Sequence, residues 1–360
     1  MHLEKISVIN FKNHLEGEYV FSDAINCFTG NNGVGKTNIL DAIYYLSFSK
    51  SFFNAIDSHN INFDQDFFIV QGEYAKGDVT EKVHIGLKKG KKKVVKRNDK
   101  PYKRLADHIG LFPLVMVSPA DVNLIIEGSD IRRKFIDGVI SQYDKLYLEF
   151  LLKYNKALAQ RNALLKQFYE QQYFDQDSLD LWNLQMEQYA EPVYETRKKF
   201  LDDFIPIFQK YHEMVSRGKE AVSLSYVSQL SDKSMSELFE THLTADLKSQ
   251  HTKVGVHKDD LEFLIGGHSI KKYGSQGQQK TYLLALKLAQ FEIIKNVKSV
   301  KPILLLDDIF DKLDKTRVKA LMELVSAHNF GQIFISDTNA TRIIELFEDI
   351  DLEPRVFEVT

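Results

Sequence analysis

Two short motifs near opposite ends of the chain constrain its fold more than any other feature. Residues 30–37 read GNNGVGKT and match the phosphate-loop pattern GxxxxGK[ST], and residues 303–308 form an apolar run that ends in two carboxylates. The two motifs can serve one nucleotide site only if they are neighbours in space, although Thr37 and Asp307 are 270 residues apart. The chain between them must leave the nucleotide-binding domain and return to it, so the sequence predicts an inserted domain.

The phosphate-loop motif supplies the residue types that a nucleoside triphosphate requires. Glycines let backbone N–H groups approach phosphate oxygens closely, Lys36 reaches the outer phosphates, and the Thr37 hydroxyl binds Mg²⁺. Residues 25–29 predict a buried strand before the loop, and the apolar spacing of residues 39–46 predicts a helix after it. A chance match is the alternative, and this strand and helix context favours ATP. The predicted nucleotide contacts are Gly30, Asn31, Asn32, Gly33, Val34, Gly35, Lys36 and Thr37.

The second motif has the pattern of a strand that is buried on both faces of a parallel sheet. Such strands deliver ligands at their carboxyl ends. Asp307 is therefore placed to hold Mg²⁺, as is Thr37, while Asp308 is placed to orient or polarise an attacking water. A strand that merely runs into an acidic turn is the alternative, and the partner motif favours the metal site. The predicted catalytic residues are Asp308 and Lys36.

A third motif, residues 273–279, reads YGSQGQQ and precedes a leucine-rich predicted helix. Small and amide residues at a helix start form an anion cradle. The run resembles the LSGGQ signature of ABC-type ATPases, with Gln276 in place of the first glycine. In that superfamily the signature of one subunit closes over the nucleotide of the other, which implies a nucleotide contact from Ser275, Gln276, Gly277 and Gln278. A polar loop that caps a helix is the alternative.

Composition is typical of a globular protein with about two domains. Hydrophobic residues make up 44% and charged residues 27% of the 360 positions, and no apolar run approaches the roughly 18 residues that span a bilayer. The first residues do not have the pattern of a secretory signal. The single cysteine, Cys27, cannot form an internal disulfide. We therefore expect a cytoplasmic protein.

Positive charge is concentrated in one segment, although the formal net charge is only −3. Residues 88–104 contain ten lysines and arginines in seventeen positions and have the pattern of a hairpin. Contact with a nucleic-acid backbone is the functional interpretation, and a solvated charged surface without a partner is the alternative. The predicted DNA-binding residues are Lys91, Lys92, Lys93, Lys96 and Arg97.

The periodicity of apolar residues changes along the chain. Residues 1 to about 120 favour strands, whereas the pattern from residue 129 is helical, and a second long helical pattern covers residues 181–215 with predicted interruptions at Pro192 and Pro206. The predicted fold is α/β: an ABC-type P-loop ATPase head, a mixed sheet with flanking helices, formed by residues 1–125 and 246–360. The inserted, mainly helical arm is expected to cover residues 126–245.

In order along the chain, these features resemble the RecF family of ABC/SMC-like ATPases, and the resemblance covers essentially the whole chain. The segments that carry it are residues 3–13, 118–121, 128–137, 255–261 and 275–280. The chain departs from the family pattern at Asp130, where proline is expected, and at Lys258 and Lys280, where arginine is expected. Many ABC ATPases have glutamate at the position of Asp308, and a histidine where residues 336–339 read SDTN. Gln71 is a weak candidate for the conserved glutamine of ABC ATPases.

The resemblance implies an ATP-dependent DNA-binding protein of recombinational repair and replication. ATP would drive dimerisation, the dimer would hold DNA at gaps or at single-strand/double-strand junctions, and partners resembling RecO and RecR would help to load the RecA recombinase. DNA-stimulated hydrolysis would release the DNA. Hydrolysis would be slow, because the shorter Asp308 carboxylate holds water less well than glutamate. Two other classes of protein share the phosphate loop. One is the ATPase subunit of an ABC transporter, and the helical arm and the basic hairpin argue against it. The other is a small-metabolite kinase, which would not need a signature helix.

Overall fold

The computed structural model describes residues 1–218, 220–310, 315–326, 330–348 and 353–360. The chain forms two compact units. The first comprises Met1–Val122, Lys210–Lys219 and Gln276–Thr360, and the second comprises Asn123–Gln209 and Glu220–Ser275. This division groups residues 246–275 with the second unit, whereas the predicted head includes them.

The strands are β1 (His2–Phe11), β2 (His14–Val20), β3 (Ile25–Thr29), β4 (Phe67–Lys76), β5 (Val79–Lys88), β6 (Val94–Arg97), β7 (Lys100–Pro101), β8 (Leu114–Val117), β9 (Val222–Val227), β10 (Asp260–Ile265), β11 (His268–Ser269), β12 (Ile303–Asp307), β13 (Ile333–Asp337) and β14 (Arg355–Glu358). The α-helices are α1 (Lys36–Phe48), α2 (Asn123–Ile126), α3 (Ser129–Ile140), α4 (Lys145–Gln171), α5 (Gln176–Ser216), α6 (Met235–Ser249), α7 (Ile270–Tyr273), α8 (Gln276–Lys298), α9 (Lys315–Ser326) and α10 (Ala340–Glu348).

A parallel sheet in the first unit has the strand order β14-β3-β13-β12-β8. Its inner strands are short and almost wholly apolar, and every residue of β3, β8, β12 and β13 is buried, as expected for a sheet covered on both faces. The register aligns Thr29 with Asp337 and Ser336 with Asp307. The carboxyl ends of these strands therefore bring the predicted phosphate loop and the predicted metal carboxylate to one edge.

A second sheet of the same unit is antiparallel, with the order β2-β1-β4-β5-β6-β7. Helix α1 contributes to one continuous core with both sheets, because its buried residues Ile39, Leu40, Ile43 and Leu46 belong to the same cluster as Phe68 and Phe334. This packing fixes α1 between the two sheets. The phosphate loop, which joins β3 to α1, is thereby held at the edge of the parallel sheet. The predicted α/β fold class is confirmed, with the parallel and antiparallel strands in two separate sheets.

The second unit is mainly helical and also contains the antiparallel sheet β11-β10-β9. The predicted interruptions at Pro192 and Pro206 are wrong, because α5 continues through both prolines. Proline removes one helical hydrogen bond and costs about 3 kcal/mol inside a helix. The apolar face of α5 offsets that cost by burying Ala190, Val193, Phe200, Phe204 and Phe208. Among the helices that the structure describes, none has the length and apolarity needed to cross a membrane.

Candidate nucleotide-binding site

The two motifs meet at the carboxyl edge of the parallel sheet. β3 ends at Thr29, directly before the phosphate loop, and β12 ends at Asp307. The Thr37 Oγ1 donates a hydrogen bond to Asp307 Oδ1 at 2.8 Å, although 270 residues separate them. The two motifs therefore form one site, although a long stretch of chain separates them in sequence.

The phosphate loop is closed around its own lysine. Lys36 Nζ donates to the carbonyl oxygens of Gly30 and Asn31, each at 2.7 Å, and its side chain is almost wholly buried. Gly30 has φ +144°, and a Cβ there would lie 2.3 Å from the Val359 carbonyl oxygen, so another residue would not fit. α1 begins at Lys36 without a side-chain cap, and the N–H groups of Lys36 and Thr37 at this helix start can bind an anion.

Asp307 is buried and is held by hydroxyl groups. It accepts hydrogen bonds from Thr37 and from Ser336 Oγ at 2.7 Å, and Ser118 adds a third hydroxyl. Burial raises the pKa of Asp307, and these hydrogen bonds oppose that shift. One carboxylate and one threonine hydroxyl suit Mg²⁺, which keeps several waters and substrate phosphate oxygens as its remaining ligands. Within the described residues, no group of three or more His, Cys, Asp or Glu side chains could hold a metal by itself.

Asp308 has left-handed backbone geometry, with φ +47°. Its N–H donates to Ser336 Oγ at 3.0 Å and approaches the Ser336 carbonyl oxygen at 3.3 Å. Ser336 therefore contacts both consecutive carboxylate residues, through its hydroxyl on Asp307 and through the amide of Asp308. Sequence reasoning missed this role of Ser336. The available signal was its position at the end of the apolar run 333–335, a second strand delivering a polar group to the same edge.

Ser118 is the second residue that the sequence interpretation missed. It directly follows β8, the neighbour of β12, and so lies at the same edge. Gln71, the weak candidate for the ABC-type glutamine, lies instead in β4 of the antiparallel sheet, where its Nε2 is 2.8 Å from His84 Nδ1.

The signature-like residues lie at the start of α8, which begins at Gln276, directly after Ser275. A brace from α9 supports this turn: Arg317 Nε donates to Thr281 Oγ1, which donates to the Gly277 carbonyl oxygen at 3.0 Å. A Cβ on Gly277 would lie 3.4 Å from Arg317 Nη2, so the small residue permits the close approach of this arginine.

The predicted DNA-binding residues divide into exposed and internally paired cations. Lys91 and Lys92 are exposed in the turn between β5 and β6, and Lys96 is half-buried. Lys93 forms an ion pair with Asp57 at 2.7 Å and has a largely buried side chain. Arg97 forms a two-point contact with the buried carboxylate of Glu81. Lys91 and Lys92 are consequently better placed for a nucleic-acid phosphate than Lys93 and Arg97.

A family model and full-length relatives of the chain indicate the same protein family. The family model described as "RecF/RecN/SMC N terminal domain" matches residues 2–350. The "DNA replication and repair protein RecF" of Flavobacterium johnsoniae is 49% identical over 359 residues, which cover 100% of both chains. The chain belongs to the RecF family. The protein of the same description from Bacteroides thetaiotaomicron is 50% identical and covers 100% of this chain and 97% of its own length.

Solved structures place the RecF fold among ABC/SMC-type heads. "Structure of the recombination mediator protein RecF-ATP in RecFOR pathway" superposes with a TM-score of 0.90 at 32% identity, covering 99% of this chain and 95% of that one. The Smc head from Pyrococcus furiosus, with a TM-score of 0.54 at 18% identity over 97% of this chain and 91% of that one, shares the fold alone. The family resemblance and the predicted fold class are confirmed, and the transporter alternative is not favoured.

Proposed function

We propose that this RecF-family chain is an ATP-dependent DNA-binding protein of recombinational repair and replication. The observation that carries the proposal is the hydrogen bond between Thr37 and Asp307, which unites the phosphate loop with the carboxylate edge in one site. Its support from relatives is a solved RecF structure described as RecF-ATP in the RecFOR pathway.

In this proposal Lys36 and the N–H groups of residues 30–37 bind the ATP phosphates. Lys36 would exchange its contacts with the Gly30 and Asn31 carbonyl oxygens for phosphate oxygens. Thr37 and Asp307 would hold Mg²⁺, which supplies charge neutralisation on the phosphates. Asp308, fixed through its amide by Ser336, would orient the attacking water. Hydrolysis is slow because the short aspartate positions water less closely than glutamate, and a misplacement of about 1 Å can cost about 100-fold in rate.

The site is completed by a second copy of the chain. Ser275, Gln276, Gly277 and Gln278 of one protomer would contact the nucleotide held by the other, so ATP binding and dimerisation are one event. The first unit would serve as the ATPase head and the second as its arm. RecO-like and RecR-like proteins are the proposed partners, since solved relatives are described as members of a RecFOR pathway. The proposed location is the cytoplasm.

DNA at gaps or single-strand/double-strand junctions is the proposed polymer ligand. Lys91 and Lys92 supply exposed positive charge, and phosphate contacts of this kind make affinity fall as salt rises. Lys96 is a further, half-buried contact. Lys93 and Arg97 would act indirectly, because their ion pairs hold the hairpin in place.

The decisive test is the binding of gapped duplex DNA to the full chain with ATP, with ADP and without nucleotide. The expected result is tight binding with ATP only, and its loss in Lys36→Ala. Binding of wild type that is indifferent to nucleotide would contradict the proposal, as would an ATPase rate that DNA does not change.

A further inference from the structure

The turn between β1 and β2, together with the first residue of β2, is joined to the phosphate loop by side chains outside the nucleotide motifs. Asn13 Nδ2 donates to the Val34 carbonyl oxygen at 2.9 Å, and His14 Nε2 lies 3.1 Å from the Gly35 carbonyl oxygen. Asn38 Nδ2, in the first turn of α1, donates to Asn13 Oδ1 at 2.6 Å. Asn13 therefore uses its amide N–H on the loop and its amide oxygen on the helix that follows.

The two contacted carbonyls belong to the peptide groups whose N–H groups are those of Gly35 and Lys36. In a planar trans peptide the C=O and N–H bonds point in opposite directions. Side chains that hold the Val34 and Gly35 carbonyl oxygens toward the β1–β2 turn consequently direct the next N–H groups away from that turn. Amides preset in this way bind an anion without the cost of reorienting the loop.

The glycine at position 35 makes this approach possible. Gly35 has φ +111°, and a Cβ there would lie 2.5 Å and 2.6 Å from the amide atoms of Asn13 and 2.6 Å from His14 Nε2. The absent side chain is thus the space that the turn occupies. Glycine at this position serves the approach of Asn13 and His14 in addition to the backbone conformation.

The turn itself is anchored from its other side. Lys12 Nζ pairs with the buried Asp41 carboxylate of α1 at 2.6 Å, and the Lys12 N–H donates to the Asn60 carbonyl oxygen at 2.8 Å. A turn fixed at both of these points can restrain the loop instead of following it.

We propose that Asn13 and His14 are positioning residues for the phosphate loop, acting through the Val34 and Gly35 carbonyl groups. This inference rests on the proposed ATP site. Asn13 has the larger effect, because the Gly35 carbonyl oxygen also accepts the helical N–H groups of Asn38 and Ile39. Neither residue is a catalytic residue, since each acts through the loop.

The test compares ATP affinity with stability in the absence of nucleotide. Asn13→Asp retains the shape and the acceptor for Asn38 but has no N–H for Val34, and His14→Gln retains a side-chain donor that His14→Ala lacks. Glu16→Ala, at an exposed position of β2, is the matched control. Equilibrium titration of the full chain with Mg²⁺-ATP gives the affinities, and thermal unfolding without nucleotide gives the stability.

We expect ATP affinity to fall about tenfold in Asn13→Ala and Asn13→Asp, the size of one lost hydrogen bond to a fixed group. His14→Ala should lose about threefold and His14→Gln should recover it, with unfolding temperatures close to that of Glu16→Ala. Control-like ATP affinity in Asn13→Asp, or affinity that falls only in parallel with the unfolding temperature, would overturn the inference. Failure of wild type to bind ATP would instead overturn the proposed function.

Discussion

Two buried polar clusters, one in each unit, differ in how their charge is balanced. In the second unit, Arg197 is 2% exposed and pairs with Asp137 at 2.9 Å and Asp259 at 2.8 Å. In the first unit, buried Asp307 accepts hydrogen bonds from the hydroxyls of Thr37, Ser336 and Ser118.

The difference separates a structural cluster from a functional one. In the Arg197 cluster the cation that faces the carboxylates belongs to the chain itself, and the loss of a partner from such a buried pair is costly. The hydroxyls that hold Asp307 supply hydrogen bonds but no counter-charge, and burial raises the pKa of this carboxyl group. Such a group favours a cation supplied from outside the chain, which is the role proposed for Mg²⁺.

The largest effect that we expect is a loss of stability when the Arg197 cluster of the second unit is broken. Arg197→Met leaves the Asp137 and Asp259 carboxylates without their cation, and breaking a buried pair in this way costs about 3–5 kcal/mol. Denaturant unfolding followed by the fluorescence of Trp182, which is in the second unit and is the single tryptophan of the chain, measures this loss. Glu191→Gln, at an exposed position of α5, is not part of the cluster and serves as the control. A loss below about 1 kcal/mol would remove the structural half of the comparison.

The hydroxyl-held cluster should respond in rate more than in stability. Ser336→Ala removes the donor to Asp307 and the acceptor for the Asp308 N–H, so the left-handed geometry of Asp308 is less well fixed. We expect ATP hydrolysis to fall about tenfold, with ATP affinity changed less than about threefold. Ser336→Thr retains the hydroxyl as the control, and an unchanged hydrolysis rate in Ser336→Ala would contradict this role.

The basic hairpin repeats the same contrast on a smaller scale. The double variant Lys91→Ala/Lys92→Ala should reduce DNA affinity about tenfold and lower the slope of log affinity against log salt by about 2. Lys93→Ala removes the partner of Asp57 instead, so it should reduce stability while the salt slope changes little. Equal slopes for wild type and the double variant would show that this hairpin is not the DNA-binding surface.

The smallest expected effect is a pH dependence in the second unit. Burial lowers the pKa of His257 to about 4, whereas its ordinary value is 6.5. Between these values the unfolded chain binds more protons, so stability is retained above pH 6.5 and decreases as the pH falls toward 4. His257→Gln should flatten that part of the unfolding profile by about 1 kcal/mol, a figure reduced for the partial exposure of the ring. An identical pH slope in this variant would mean that other groups carry the titration.

The sequence predicted those parts of the site that lie within one motif or at the ends of strongly apolar strands. The meeting of Thr37 with Asp307 followed from motif chemistry and chain length alone. Ser118 and Ser336 were missed, because both reach Asp307 only when β8 and β13 flank β12. The order of strands in a sheet cannot be predicted from the local spacing of residues. Asn13 was missed because its contact with the phosphate loop joins the β1–β2 turn to a distant segment of the chain.

Burial accounts for the remaining differences. The charge of Lys93 and Arg97 was evident from sequence, but their pairing with Asp57 and Glu81 depends on tertiary contacts. Pro192 and Pro206 were expected to interrupt α5 on propensity, and the packing of its apolar face outweighed that local preference.

The central claim, an ATP site shared between two copies, is tested most directly by mixing two defective variants. Lys36→Ala lacks the phosphate-loop lysine, and Ser275→Arg obstructs the signature, yet a heterodimer of the two retains one intact composite site. Light scattering with Mg²⁺-ATP should give a monomer mass for each variant alone and a substantial dimer fraction for the mixture and for wild type. Dimerisation by Lys36→Ala alone, or a mixture that stays monomeric while wild type dimerises, would contradict the shared site.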